Sequence, residues 1–273
     1  MRKRQFLLVA AAAMGLNPAQ AQQNLQADRV GLLVLHGKNP GGPRDPNIRS
    51  FALRFEREGM LVELPDMPWS SRRYIDGHWD RAMEEMDRHV ATLRSRGATR
   101  IVLMGHSLGC PAALAYAVRK PDVDAVVLLA PSHIPRGYYE FANLTPVRKS
   151  IDEARAMVAA GKGDERAAFN DINQGRSLTV RLTARDYLSY FDPLSDAEMG
   201  VSAARVSASI PVLTVIGSAD PLFRLAKSYV HDKLPPNPRS RYLEVTADHL
   251  TTPEVARDQV VAWMVQALAL ARV

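Results

Sequence analysis

Apolar positions along the chain come in two rhythms. Val30–Leu35 is an unbroken apolar run that ends at His36-Gly37, the mark of a strand buried on both faces. Met60–Leu64, Ile101–Met104, Val123–Ala130, Ile210–Ile216 and Arg241–Val245 read as five further short strands. Between them the apolar residues fall at helical spacing. Asn47 can cap a helix carrying Ile48, Phe51 and Phe55 on one face. Asp76 opens a helix with Trp79, Met83, Met86, Val90 and Leu93 in a stripe, and Gly97 ends it. Leu108, Ala112, Ala115 and Val118 form another stripe, closed by Pro121. Leu222–Lys233 reads as a helix, and a last one starts at Thr252-Pro253-Glu254, a cap followed by an N1 proline, and runs to about Leu270. Strands alternating with helices imply βαβ units and a parallel sheet, an α/β fold.

Residues 131–209 break the rhythm. A structureless loop of that length does not suit a compact domain. The segment holds helical stretches at Pro146–Ala160, Glu165–Asn173 and Ala184–Tyr190, so it reads as a helical lid inserted after the fourth strand. No internal repeat or low-complexity tract interrupts the rest.

The N-terminus follows a different logic. Met1-Arg2-Lys3-Arg4 is basic, Phe6–Leu16 is apolar, and Pro18-Ala19-Gln20-Ala21 ends in an A-x-A pattern. These three regions in order are a signal peptide over residues 1–21, with 22–273 as the mature domain, exported to the periplasm or secreted. Lys3-Arg4-Gln5-Phe6-Leu7 is also close to a twin-arginine signal, so the export route stays open. The apolar run is too short to span a bilayer, no cysteine follows the cleavage site, and no later segment would anchor the chain in a membrane. The formal charge is +6, but three of the 35 Lys and Arg residues lie in the leader, leaving 32 against 29 acidic residues. The remaining basic residues are scattered, which gives no footprint for nucleic acid. The single cysteine, Cys110, excludes an internal disulfide and reads as a small core residue.

The chemistry centres on Gly105-His106-Ser107-Leu108-Gly109, which joins the Ile101–Met104 strand to the alanine-rich helix. A G-x-S-x-G between strand and helix is a sharp turn that lifts the serine hydroxyl above the sheet edge. A helix cap alone would explain Ser107 but not both glycines. A serine nucleophile needs a base, and the base needs an orienting carboxylate. His249 follows the last strand in EVTADHLTT, and Asp220 follows the fifth in TVIGSADPLF, both at the edge where loops converge. Asp192 in the lid is the rival acid, and Asp248 beside the histidine points elsewhere. The backbone N–H of Leu108 faces a developing oxyanion, and the His36-Gly37 turn supplies a second N–H from Lys38, or from Asn39. His36 itself suits a hydrogen-bonded turn. With His133 and Trp69 it is also a candidate for the pocket wall, although a plain loop role serves His133 equally well and loop anchoring suits Trp69 and Tyr74 better. His106 packs below the serine. His78, His89 and His231 are assigned to the surface. No histidine pair has metal-site spacing.

These motifs together make the chain resemble the α/β-hydrolase family, in its serine-nucleophile, esterase-, lipase- or thioesterase-like branch. The resemblance spans nearly the whole mature chain: the HG turn, the elbow, Gly217-Ser218-Ala219-Asp220 and Asp248-His249. It implies a three-layer α/β/α sandwich and acyl transfer to water through an acyl-enzyme, with no cofactor and no metal. Only Gln22–Arg29 precede the first strand in the mature chain, so the usual N-terminal hairpin is missing and a six-stranded sheet is expected. Ser107 at the elbow excludes the branches that use a nucleophilic aspartate. The expected substrate is a small-molecule ester or thioester. A noncatalytic binding protein on the same scaffold, and a perhydrolase or lyase, are the competing readings. The charged residues Arg148, Lys149, Asp152, Glu153 and Arg155 argue against a lipid-facing lid.

Overall fold

A computed structural model of the chain describes residues 29–38, 42–173 and 175–269. The expected signal peptide over residues 1–21, the Gln22–Asp28 lead, Asn39 and the helix end at Leu270 lie outside the described residues.

Six strands form one sheet: β1 (Val30–Leu35), β2 (Leu61–Glu63), β3 (Arg100–His106), β4 (Ala125–Leu129), β7 (Val212–Gly217) and β8 (Arg241–Val245). Their order is β2-β1-β3-β4-β7-β8, and every pair is parallel. Alternate residues feed opposite faces, as the pleat requires. Leu33, Leu35, Ile101, Leu103, Val126 and Leu128 enter one core, while Leu32, Val34, Val102, Met104, Val127 and Leu129 enter the other. The first core is covered by α2 (Trp79–Ser95) and α3 (Gly109–Arg119), the second by α1 (Pro46–Arg57) and α9 (Thr252–Ala269). The result is the expected three-layer sandwich. Because β2 lies on one side of β1 and β3 on the other, the loops after β1 and β3 diverge and leave a crevice at the C-terminal edge.

Helix starts differ from the sequence reading in three places. Asp45, not Asn47, caps α1: its carboxylate accepts the N–H groups of Asn47 and Ile48, and Pro46 takes the first helical position. The cap of α2 is His78 rather than Asp76, through Nδ1 accepting the Asp80 N–H. Thr252 is the first residue of α9, and its hydroxyl donates back to the Asp248 carbonyl at 2.6 Å. Gly97 does end α2, at φ +94°, where a side chain would be strained. The stretch expected as one helix over Leu222–Lys233 is α8 (Phe223–Tyr229) followed by a 3₁₀ turn at His231–Lys233.

The segment between β4 and β7 is a mixed lid, not a purely helical one. It contains α4 (Pro135–Glu140), α5 (Thr145–Ala159), β5 (Arg166–Asn173), β6 (Arg176–Thr183), α6 (Ala184–Phe191) and α7 (Met199–Arg205). The helices expected at Pro146–Ala160 and Ala184–Tyr190 are present as α5 and α6. Glu165–Asn173 is not helical: it is strand β5, paired antiparallel with β6 from Arg166–Thr183 to Asn173–Arg176. Its Phe169 stacks on Tyr187, which stacks on Phe191, so the hairpin is fastened by aromatic contacts.

Candidate active site

Ser107 sits at φ +55°, a left-handed conformation rare for a residue with a side chain. The neighbouring glycines make this turn feasible. A Cβ at Gly105 would run into the backbone of Gly109, and one at Gly109 into the carbonyl of Leu35. The turn is locked by the Ser107 N–H donating to Leu129 O at 3.1 Å and by Cys110 N–H donating to Ser107 O at 2.9 Å.

Two further strand ends deliver the remaining groups. The Ser107 hydroxyl lies 2.9 Å from His249 Nε2, and His249 Nδ1 donates to Asp220 Oδ2 at 2.7 Å. The Asp220 side chain is 0% exposed while that of His249 is 21% exposed, so the carboxylate is shielded and the imidazole is open to an incoming molecule. The second carboxylate oxygen accepts the Leu222 N–H at 2.8 Å, which fixes the plane of the acid. Gly217 lets the loops after β7 and β8 approach, since a Cβ there would meet Ala247 O. The sequence reading placed Ser107, Asp220 and His249 at one edge, and the structure brings them into one hydrogen-bonded chain. In this tautomer the Nε2 lone pair can take the serine proton while the carboxylate steadies the charge that forms.

The rival acids are engaged elsewhere. Asp192 is gripped by Arg155 through two contacts of 2.7 and 2.9 Å. Burial works against its charge, but Arg155 holds its carboxyl below the usual range. Asp248 accepts from Thr251 and Leu250 within its own turn, and those bonds lower its carboxyl as well.

Gly37 places the loop after β1 directly over the serine: a Cβ there would come within 2.9 Å of Ser107 Cβ. The N–H groups of Leu108 and Lys38 make no hydrogen bond among the described residues. Leu108 stands at the start of α3, where the helix dipole adds a positive field.

The histidines separate by environment. His36 is buried, its Nδ1 donating to Gly37 O at 2.7 Å and its Nε2 accepting the Met67 N–H at 3.0 Å. His133 is buried and donates from Nε2 to Tyr190 O at 2.6 Å. Trp69 is fully buried and donates to His36 O at 2.7 Å. All three are therefore loop anchors rather than pocket walls, because their polar atoms already serve the backbone. Burial lowers the basicity of His36, and it takes His133 down to about 4 with the Lys38 ammonium adding to the effect. His106 falls to about 3 through burial and the nearness of His249. Its role is more specific than packing: Nε2 donates to His249 O at 2.9 Å and so holds the backbone of that histidine in place. His78 caps α2, His89 pairs with Glu63 at 3.0 Å, and His231 lies 3.1 Å from Thr214 Oγ1. Cys110 is buried against Gly105 O, and burial pushes its thiol up, away from reactivity. Among the described residues no cluster of His, Cys, Asp or Glu could hold a metal ion, and no helix is long and apolar enough to cross a membrane.

The sequence reading missed one cluster beside this site. Lys38 Nζ donates to Asp171 Oδ1 at 2.7 Å, to Asp171 Oδ2 at 2.9 Å and to Ile172 O at 3.0 Å. Tyr74 also donates to Asp171 Oδ2, at 2.6 Å. The only sequence signal was an isolated charge within the strand that became β5.

A parallel sheet covered by helices on both faces, with a serine on a glycine-flanked elbow and a histidine and carboxylate from later strand ends, is hydrolase architecture. The chain belongs to the alpha/beta hydrolase family, whose model matches residues 10–270. No curated protein matches the sequence. Among solved structures the chain is similar to Est1E from Butyrivibrio proteoclasticus, with a TM-score of 0.62 and 16% identity over 91% of this chain and 92% of that one. It is similar to a highly thermostable carboxyl esterase from Bacillus coagulans, with a TM-score of 0.59 and 15% identity over 90% and 91%. A proline iminopeptidase from Mycobacterium smegmatis gives a TM-score of 0.56 and 18% identity over 90% and 92%. At these identities the likeness is one of fold.

Proposed function

We propose that this protein is a serine hydrolase that cleaves carboxylic ester or thioester bonds of a small molecule through an acyl-enzyme. The observation that carries the reading is the continuous chain from Ser107 Oγ to His249 Nε2 at 2.9 Å and from His249 Nδ1 to Asp220 Oδ2 at 2.7 Å. Ser107 Oγ attacks the acyl carbon as His249 takes its proton. Asp220 stabilises the imidazolium without taking the proton itself. The Leu108 and Lys38 N–H groups receive the oxyanion, a donor of this kind typically being worth ~2.7–4 kcal/mol in the transition state. His249 then protonates the leaving alcohol or thiol, and water, activated by the same histidine, releases the acid.

The esterases among the structural neighbours support the ester reading, while the proline iminopeptidase marks the amide alternative. A panel of p-nitrophenyl esters and matched thioesters of graded chain length, with proline p-nitroanilide beside them, separates the two. The expected result is ester or thioester turnover by the wild type and none by Ser107→Ala. Turnover of the anilide alone, or equal turnover by the variant, contradicts the proposal.

We also propose that the protein is exported, on the strength of the basic, apolar and A-x-A regions in Met1–Ala21. Mature protein from a bacterial host should begin at Gln22 by N-terminal sequencing. Recovery of the intact N-terminus from the cytoplasm would contradict it.

A further inference from the structure

Lys38 lies in the loop over Ser107, and its side chain reaches into the lid. The Asp171 carboxylate it meets is 0% exposed, and the ammonium is 7% exposed. The two residues are 133 positions apart in sequence, one on the loop after β1 and the other on β5. All three ammonium protons have an oxygen partner, two from Asp171 and one from Ile172 O. A cation held at three points has no freedom to turn, so the four-methylene stem is tethered at its far end and the loop backbone is tied to the lid strand.

Stability alone is a poor reason for such a pair. Removing two charges from water costs about as much as their attraction returns, and apolar replacements of buried pairs are often neutral or better. Geometry is the better reason, and a second observation points the same way. Tyr74 and Ile75 hold φ of +36° and +60°, strained for any residue with a side chain and most of all for a β-branched one. Strain of this kind persists only where the surroundings over-determine it. The strained turn directs the Tyr74 hydroxyl to Asp171 Oδ2. Two core loops therefore converge on one lid carboxylate. The Phe191 ring lies 5.6 Å from Lys38 Nζ and is tied through Tyr187 to Phe169, two residues before Asp171 on the same strand face.

We propose that Asp171 is a positioning residue: by holding the Lys38 ammonium it fixes the loop whose N–H receives the oxyanion, so Ser107 works at full rate only with the lid hairpin seated. This rests on the serine-hydrolase reading. Asp171 touches no reacting atom in this account, and Lys38 acts through its backbone.

The test compares Asp171→Asn, Lys38→Met and the charge-free double variant Lys38→Met/Asp171→Leu with the wild type. Lys38→Met keeps the backbone N–H. Active sites are counted by a p-nitrophenyl acetate burst, and kcat, KM, Tm and the Ki of a trifluoromethyl ketone are measured. Each single variant strands one buried charge, so its Tm falls. The double variant strands none, so its Tm recovers. The proposal expects kcat per site to stay at least tenfold below wild type in the double variant, with KM little changed. It also expects Ki for the ketone, whose adduct carries an oxyanion, to weaken by the same factor. Recovery of kcat and Ki to within twofold of wild type together with Tm would make the pair purely structural and overturn the proposal. A wild type with neither burst nor turnover overturns the hydrolase reading itself, and this inference with it.

Discussion

The sheet edge and the lid hold their key side chains by different means. At the edge, Ser107, Asp220 and His249 each sit within a few residues of a strand end, and local rules do most of the work. Tight turns, flanking glycines and short Asx-type hydrogen bonds shape each residue's backbone. In the lid, Asp171 and Asp192 depend on partners far away in sequence, Lys38 and Arg155. A strand-end residue is shaped by its own turn and pinned to adjacent strand ends, as His249 O is by His106 Nε2, whereas a lid residue is placed by the docking of the whole segment. Carboxylates with similar hydrogen-bond lengths thus serve different ends: the one at Asp220 holds an imidazole that solvent can reach, and the one at Asp192 fastens two helices.

The largest effect expected is at the nucleophile. Ser107→Ala should lower kcat by ~10⁴–10⁶ with the circular dichroism spectrum unchanged. Next comes the orienting acid: Asp220→Asn presents the wrong partner to His249 Nδ1 and should lower kcat by ~10⁴, the size seen for this change in a serine protease. Gly37→Ala tests the close approach over the serine. Its Cβ would sit 2.9 Å from Ser107 Cβ, and relieving that contact by a shift of up to about 1 Å costs up to about 10²-fold in rate. Asp192→Asn should fall at the other end of the scale, within about threefold of wild-type kcat, because the Arg155 pair it breaks lies in the lid and makes no contact with Ser107, Asp220 or His249. If steady-state kinetics ranked Asp192→Asn above Asp220→Asn, the two regions would have exchanged roles.

Acid should weaken both regions alike. His106 and His133 are lowered to about 3 and about 4, mainly by burial. Between those values and the unfolded value near 6.5, the unfolded chain binds protons that the folded chain refuses. Their contribution to stability is present above pH 6.5 and is lost as the pH falls. Going from pH 7 to pH 5 should cost ~2 kcal/mol for each, read from urea midpoints. His106→Asn and His133→Asn should each flatten that slope, and an unchanged slope would mean that the rings titrate normally.

The edge was legible because its signals are local. Val30–Leu35 is a short apolar run that reads as a doubly buried strand, and the elbow and the Asp220 and His249 turns follow further strand-like runs. The lid hairpin was not legible. RAAFNDIN reads as helix because its alanines favour one and Phe169 and Ile172 fall at i, i+3. In the structure the inward positions are Phe169 and Asp171, a period of two in which one buried position is an aspartate. Its partner lies 133 residues away, and no window along the chain contains both. The cap errors have a smaller cause: Asp45-Pro46 and Asn47, like Asp76 and His78, offer competing acceptors two residues apart, and only the path of the chain selects between them. His36, His133 and Trp69 were legible as turn residues but not as buried ones, since sequence gives no measure of how deeply a loop is covered.

The most direct measurement is labelling of the purified protein with a fluorophosphonate probe, wild type beside Ser107→Ala. The account predicts one equivalent of label on the wild type, mapped to Ser107 by peptide mass spectrometry, and none on the variant. A folded wild type that takes no label, or a variant that labels equally, would contradict an activated serine at this elbow.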